Sequence, residues 1–175
     1  FAFLGGGPYV ASELLGMKPS DYGIYFAIIS GGYMLGNFLS GRYSRVSGVN
    51  RMMLIGNILG VAGGLLAVGL FAAGFDHPLS LFGPTALISV GNGMVLPNSN
   101  AGMVSVKPHL AGSASGLGGT LQIGVGAFCA FAAGALLSPQ SGPWPLLWIM
   151  LFSLAMAVLS TLYLIRVERQ LRRQD

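Results

Sequence analysis

Charge is what this sequence has least of. Asp, Glu, Lys and Arg together make up 8% of its 175 residues, where a soluble domain carries roughly 25% to clothe its surface in water. Most of the outer surface must therefore face something as apolar as lipid, which excludes a soluble enzyme. Cysteine is also scarce: Cys129 stands alone, so no intrachain disulfide can form, and its small side chain reads as packing. No Asp, Glu, Lys, Arg or His lies deep in a complete apolar run. Glu13 sits near the end of the first run, while Asp21, Asp76, His77 and His109 fall in the gaps. A metal centre needs convergent ligands, and nucleophilic catalysis needs a nucleophile beside a base. No metal, no other cofactor and no catalytic residue is expected.

What is abundant points the same way. Apolar residues reach 53% and glycines number 28, mean hydropathy is +0.70, and such glycine content is common in membrane helices. A net charge of +4 does not indicate nucleic acid, because the basic residues occupy short gaps between apolar spans. Crossing ~30 Å of hydrocarbon takes about 20 apolar residues in a helix. Spans are predicted over 22–40, 52–75, 81–106, 111–137 and 145–165, with a first, truncated span over about 1–15. The chain opens on Phe1 inside an apolar run, with no charged leader or cleavage site, so material upstream is expected rather than a signal peptide.

Orientation follows from the gaps. Arg42, Arg45 and Arg51 share one gap, Lys107 lies in another, and Arg166, Arg169, Arg172 and Arg173 follow the last span. Five crossings put these three regions on one side, which then holds eight of the nine Lys and Arg residues, with Lys18 alone opposite. The excess of positive charge predicts that this side, including a basic tail over 166–175, is cytoplasmic.

Helical spacing sorts the faces. Tyr22, Phe26, Ser30, Tyr33, Asn37 and Ser40 fall within an arc of about 80° in the second span. Ser89, Asn92, Ser99 and Asn100 fall within about 100° in the fourth, and Asn98 points elsewhere. Polar stripes in membrane helices face a bundle interior or a water-filled cavity. Phe26, Ser30, Tyr33, Asn37, Ser89, Asn92, Ser99 and Asn100 are therefore candidates to line a substrate cavity. The third span, with Asn57 and many glycines, reads as packing without lining much, and the sixth as peripheral and lipid-facing. In the fifth, Gly112, Gly116, Gly119 and Gly126 share an arc of about 80°, a smooth face suited to close helix packing. Gln122 lies at the edge of that arc, facing either the cavity or a neighbour. Pro97 removes the backbone bond to the Gly93 carbonyl, and with Gly91 and Gly93 nearby it predicts a kink or hinge suited to gating.

One hydrolytic alternative is weak. Ser113 to Gly116 faintly resembles the serine motif of rhomboid proteases, but its leading position is serine and no histidine lies in the later spans. The stretch GMVLPNSNAGMVSVKPHLAGSASGLGGTLQIGVGAF, Gly93 to Phe128, carries a closer likeness. It resembles helices ten and eleven of bicyclomycin-resistance (Bcr/CflA) drug:proton antiporters of the major facilitator superfamily. Gly41, Arg42, Arg45 and Arg51 resemble that superfamily's basic loop between helices eight and nine. The resemblance implies an all-α integral membrane fold: the C-terminal six-helix half, helices seven to twelve, of a twelve-helix transporter. It also implies proton-coupled efflux of drugs or small organic metabolites by alternating access in a bacterial inner membrane. The implied partners are membrane lipid, a small amphipathic substrate, protons and the missing N-terminal half, which would hold the proton-carrying acid. Uptake of a sugar or metabolite, or a structural membrane fragment without transport, are the alternatives. A sugar importer would more often display charged substrate ligands.

Overall fold

The computed structural model describes residues 1–105 and 108–171. Among these residues six α-helices follow one another: α1 Ala2–Tyr9, α2 Pro19–Ser47, α3 Val49–Ala72, α4 Pro78–Ser105, α5 Ala111–Leu136 and α6 Trp144–Leu171. Of these, α3, α4, α5 and α6 are long and apolar enough to cross a membrane. The 29-residue α2 is long enough, but its polar stripe lowers its hydropathy, so it is not among the four.

Local sequence sets the boundaries. The α1 helix contains Pro8 and passes into a π-helical turn, Val10–Leu14, where the Leu15 N–H donates to the Val10 carbonyl at 3.0 Å. The Ser12 hydroxyl donates to the Pro8 carbonyl at 2.9 Å, beside the wider turn. Lys18 is extended before Pro19, as a residue preceding proline prefers, and Pro19 opens α2. No breaker follows until Gly48, whose φ of +83° ends the helix. The predicted basic loop is therefore not a loop. Gly41, Arg42 and Arg45 lie in the last turns of α2, Arg51 lies in the first turn of α3, and Gly48 alone separates the two helices. The basic tail is likewise helical as far as Leu171. Val106, Lys107, Arg172 and Arg173 lie outside the described residues. His77 precedes Pro78 and caps α4, its Nδ1 accepting from the Leu79 N–H at 3.1 Å.

The α4 helix is the pillar. It runs unbroken through Pro84 and Pro97, so no interruption appears where a hinge was expected. On one side Gly91 meets Gly56 of α3, and on the other Gly93 meets Gly36 and the Tyr33 carbonyl of α2. A methyl at Gly56 would stand 2.7 Å from the Gly91 carbonyl oxygen, closer than real contacts allow. Glycine is thus required on both flanks, and it lets three backbones approach closely. The expected smooth face of α5 behaves differently. Among the described residues, nothing lies within 4 Å of a methyl placed at Gly112, Gly116 or Gly119. Close approaches to α5 occur instead at Ala130, against Gly5, at Gly126, against the Phe1 ring, and at Gly118, against the Met103 side chain of α4. Only Gly126 and Ala133 of α5 are buried.

An aromatic knot ties α1, α2 and α4 together. The fully buried Phe82 ring lies 5.8 Å from Phe3, 5.4 Å from Tyr22 and 5.2 Å from Tyr25, mostly edge-on. Such pairs contribute about 0.5–1.5 kcal/mol each beyond simple burial. Two buried polar clasps join further pairs. Asn98 donates to Ser40 at 2.8 Å between α4 and α2, and Asn57 donates to Thr161 at 2.8 Å between α3 and α6.

Candidate functional site

A cavity of 830 Å³ opens between the helices. The first turn of α1 contributes Phe1, Phe3 and Leu4; α2 contributes Phe26, Ser30, Tyr33 and Met34. Ser89, Asn92 and Leu96 come from α4, and Leu121, Gln122 and Val125 from α5. The volume suits a small organic molecule, and such sites combine apolar walls with a few placed polar groups.

Six of the nine cavity candidates come together here: Phe26, Ser30, Tyr33, Ser89, Asn92 and Gln122. Asn37, Ser99 and Asn100 do not line it. The Asn37 amide donates to the Tyr33 carbonyl at 2.9 Å, within its own helix. Ser40, from the same stripe, is buried against Asn98 instead. A stripe read on a straight helix extends along its whole length, whereas the cavity occupies only part of that length.

The polar groups in the cavity differ in how committed they are. Ser30 donates to the Phe26 carbonyl at 3.2 Å, Ser153 to Ile149 at 2.8 Å and Thr85 to Leu81 at 2.7 Å, so their protons stay within their own helices. Tyr33, Ser89, Asn92 and Gln122 have no side-chain hydrogen bond to a described residue, and Tyr33, Asn92 and Gln122 are exposed to the cavity. Three helices thus present an aromatic hydroxyl, an aliphatic hydroxyl and two carboxamides, each able to donate and accept. Among the described residues, no Asp, Glu, Lys, Arg or His lines the cavity.

Two walls were not anticipated. The sixth helix, read as peripheral, contributes Met150, Ser153, Leu154 and Ala157, while Phe152, Leu159 and Tyr163 on its other faces point outward. Asn57 of α3 also reaches the cavity edge. Its amide is held by Thr161 at 2.8 Å and the Ala157 carbonyl at 3.4 Å, so it braces α6 against α3. Asn57 and Thr161 are 104 residues apart in the chain, so their partnership depends on α3 and α6 meeting in register.

The family model of the Major Facilitator Superfamily matches residues 1–175. No curated protein and no solved structure matches the chain.

Proposed function

The chain belongs to the major facilitator superfamily, and from that premise we propose that it supplies helices seven to twelve of a transporter exporting small amphipathic organic compounds against proton entry. Membership makes it a multi-pass membrane protein of the transporter kind. The finer reading is a bicyclomycin-resistance-like antiporter of a bacterial inner membrane, with the C-terminus in the cytoplasm and the partner half supplying the other cavity wall. The coupling proton is carried by an acid of that half.

The observation that carries this reading is the cavity lining. Phe1, Phe3, Phe26 and Tyr33 offer aromatic faces, Asn92 and Gln122 offer neutral hydrogen bonds, and none of the described lining residues is charged. An apolar molecule with one or two polar groups loses little on leaving water for such a wall. A strongly hydrated sugar or carboxylate would need more hydrogen bonds or an opposite charge to offset its desolvation.

The test uses the complete twelve-helix protein in everted membrane vesicles, with a fluorescent amphipathic dye as cargo. Energised vesicles should accumulate the dye, and a protonophore should abolish the accumulation. Asn92→Ala and Gln122→Ala should each raise KM by about fivefold, the effect of one lost hydrogen bond. Accumulation that ignores the protonophore would sink coupled export, and an unchanged KM in both variants would remove this cavity from substrate binding.

A further inference from the structure

Five arginines gather at one corner of the bundle. Arg42 and Arg45 lie in the last turns of α2, Arg51 in the first turn of α3, and Arg166 and Arg169 near the end of α6. The one-residue link at Gly48 holds the first three together. A side-chain hydrogen bond from Asn50 to Glu168 brings the end of α6 alongside the start of α3. All five guanidinium groups are exposed, and none forms an ion pair with a described residue. Glu168 is the one carboxylate at this corner among the described residues, and it is already engaged by Asn50. Among the described residues this corner therefore carries five positive charges against one negative charge.

Apolar side chains are interleaved with these charges. Val46 is 87% exposed, and Tyr43 and Val49 are also exposed. In water such exposure gains nothing. At the end of membrane-crossing helices, the same side chains meet the boundary where acyl chains give way to headgroups.

We propose that this corner binds the phosphate headgroup of an anionic phospholipid, with Arg42, Arg45 and Arg51 on one side and Arg166 and Arg169 on the other. Arginine suits the role because its planar fork donates two parallel hydrogen bonds to a phosphate. Val46 and Val49 pack beside the first acyl carbons. The bound lipid bridges the α2–α3 turn and the end of α6, reinforcing the contact that Asn50 and Glu168 make. The proposal rests on the chain crossing a membrane and is independent of what is transported.

The experiment reconstitutes the protein in nanodiscs containing phosphatidylcholine with a minor fraction of phosphatidylglycerol. Retained lipid is then counted by mass spectrometry after gentle detergent exchange. Wild type should retain phosphatidylglycerol in preference to phosphatidylcholine. Each arginine replaced by glutamine should weaken retention about fivefold, from the attraction of one cation for an anionic surface. The triple variant Arg42→Gln, Arg45→Gln, Arg51→Gln should lose it, and the corresponding triple lysine variant should keep most of it. Lys18→Gln, at the other end of α2, should retain lipid as wild type does. Raising the salt concentration should reduce retention in the wild type, a reading that needs no variant to fold. Equal retention of the two lipids by wild type would overturn the proposal. So would displacement of the lipid by millimolar inorganic phosphate, or retention that is insensitive to salt.

Discussion

The Asn98 amide on α4 and the Ser40 hydroxyl on α2 lie 2.8 Å apart, both almost wholly shielded from solvent, at 4% and 3% exposure. The same Asn98 nitrogen donates to the Met94 carbonyl at 2.7 Å, so both its protons are used. This clasp lies one turn from the Gly36–Gly93 crossing and locks the register of two helices that glycine allows to touch. Asn98→Ala and Ser40→Ala should each destabilise the fold, with a coupling of about 0.6 kcal/mol between them, typical of hydrogen bonds within membranes. A double-mutant cycle of unfolding in mixed detergent micelles reads the coupling. Strict additivity would show that the two groups do not support one another.

The glycines of α4 and α5 should respond in opposite ways. Gly91→Val forces a branched side chain into the Gly56 backbone and should cost about 1–3 kcal/mol, as overpacking does. Gly116→Val meets open space in this chain and should stay within about 0.5 kcal/mol. Unfolding of the chain by itself separates the two cases. A large loss at Gly116 would mean that α5 packs differently from the arrangement described.

Topology is read by labelling. Single cysteines at Lys18 and Asp76, in a protein lacking Cys129, should react with an impermeant thiol reagent added outside intact cells. A cysteine at Arg45 should react only after the membrane is opened. The reverse pattern would invert the orientation derived from the eight-to-one distribution of basic residues.

Pro97 tests whether α4 moves. The helix continues through it, yet proline donates no backbone hydrogen bond, so the turn that ends at Pro97 is held by one bond fewer than an ordinary helical turn. In the complete transporter, Pro97→Ala should lower turnover by about tenfold, some 1.4 kcal/mol in barrier, with substrate binding retained. Turnover at the parental rate would make the proline a device of shape alone.

Much of the candidate site was legible because a membrane helix leaves few places for polar groups. Phe26, Ser30 and Tyr33 on α2, and Ser89 and Asn92 on α4, share arcs that a 100° periodicity exposes, and the structure puts both arcs against one cavity. Asn37, Ser99 and Asn100 share those arcs but not the cavity, because periodicity gives the direction of a side chain and not its height along the bundle. The wall made by α6 was invisible for a related reason. Its Met150, Ser153, Leu154 and Ala157 are unremarkable apolar or small residues, and nothing local marks which of them faces inward.

Composition alone settled that this chain lives in lipid, since 8% charged residues cannot clothe a water-facing surface. Breakers and caps, and not charge, set where helices begin and end: α2 runs past the expected end at residue 40 to Gly48 because nothing before it stops a helix, whatever the charge of Arg42 and Arg45. Only the tertiary structure decided which glycines matter. Gly91 meets the α3 backbone and Gly93 the α2 backbone, whereas no described residue lies against Gly112, Gly116 or Gly119, although all five look alike in the sequence. A glycine states that a backbone can come close, and the packing of the other helices determines whether one does.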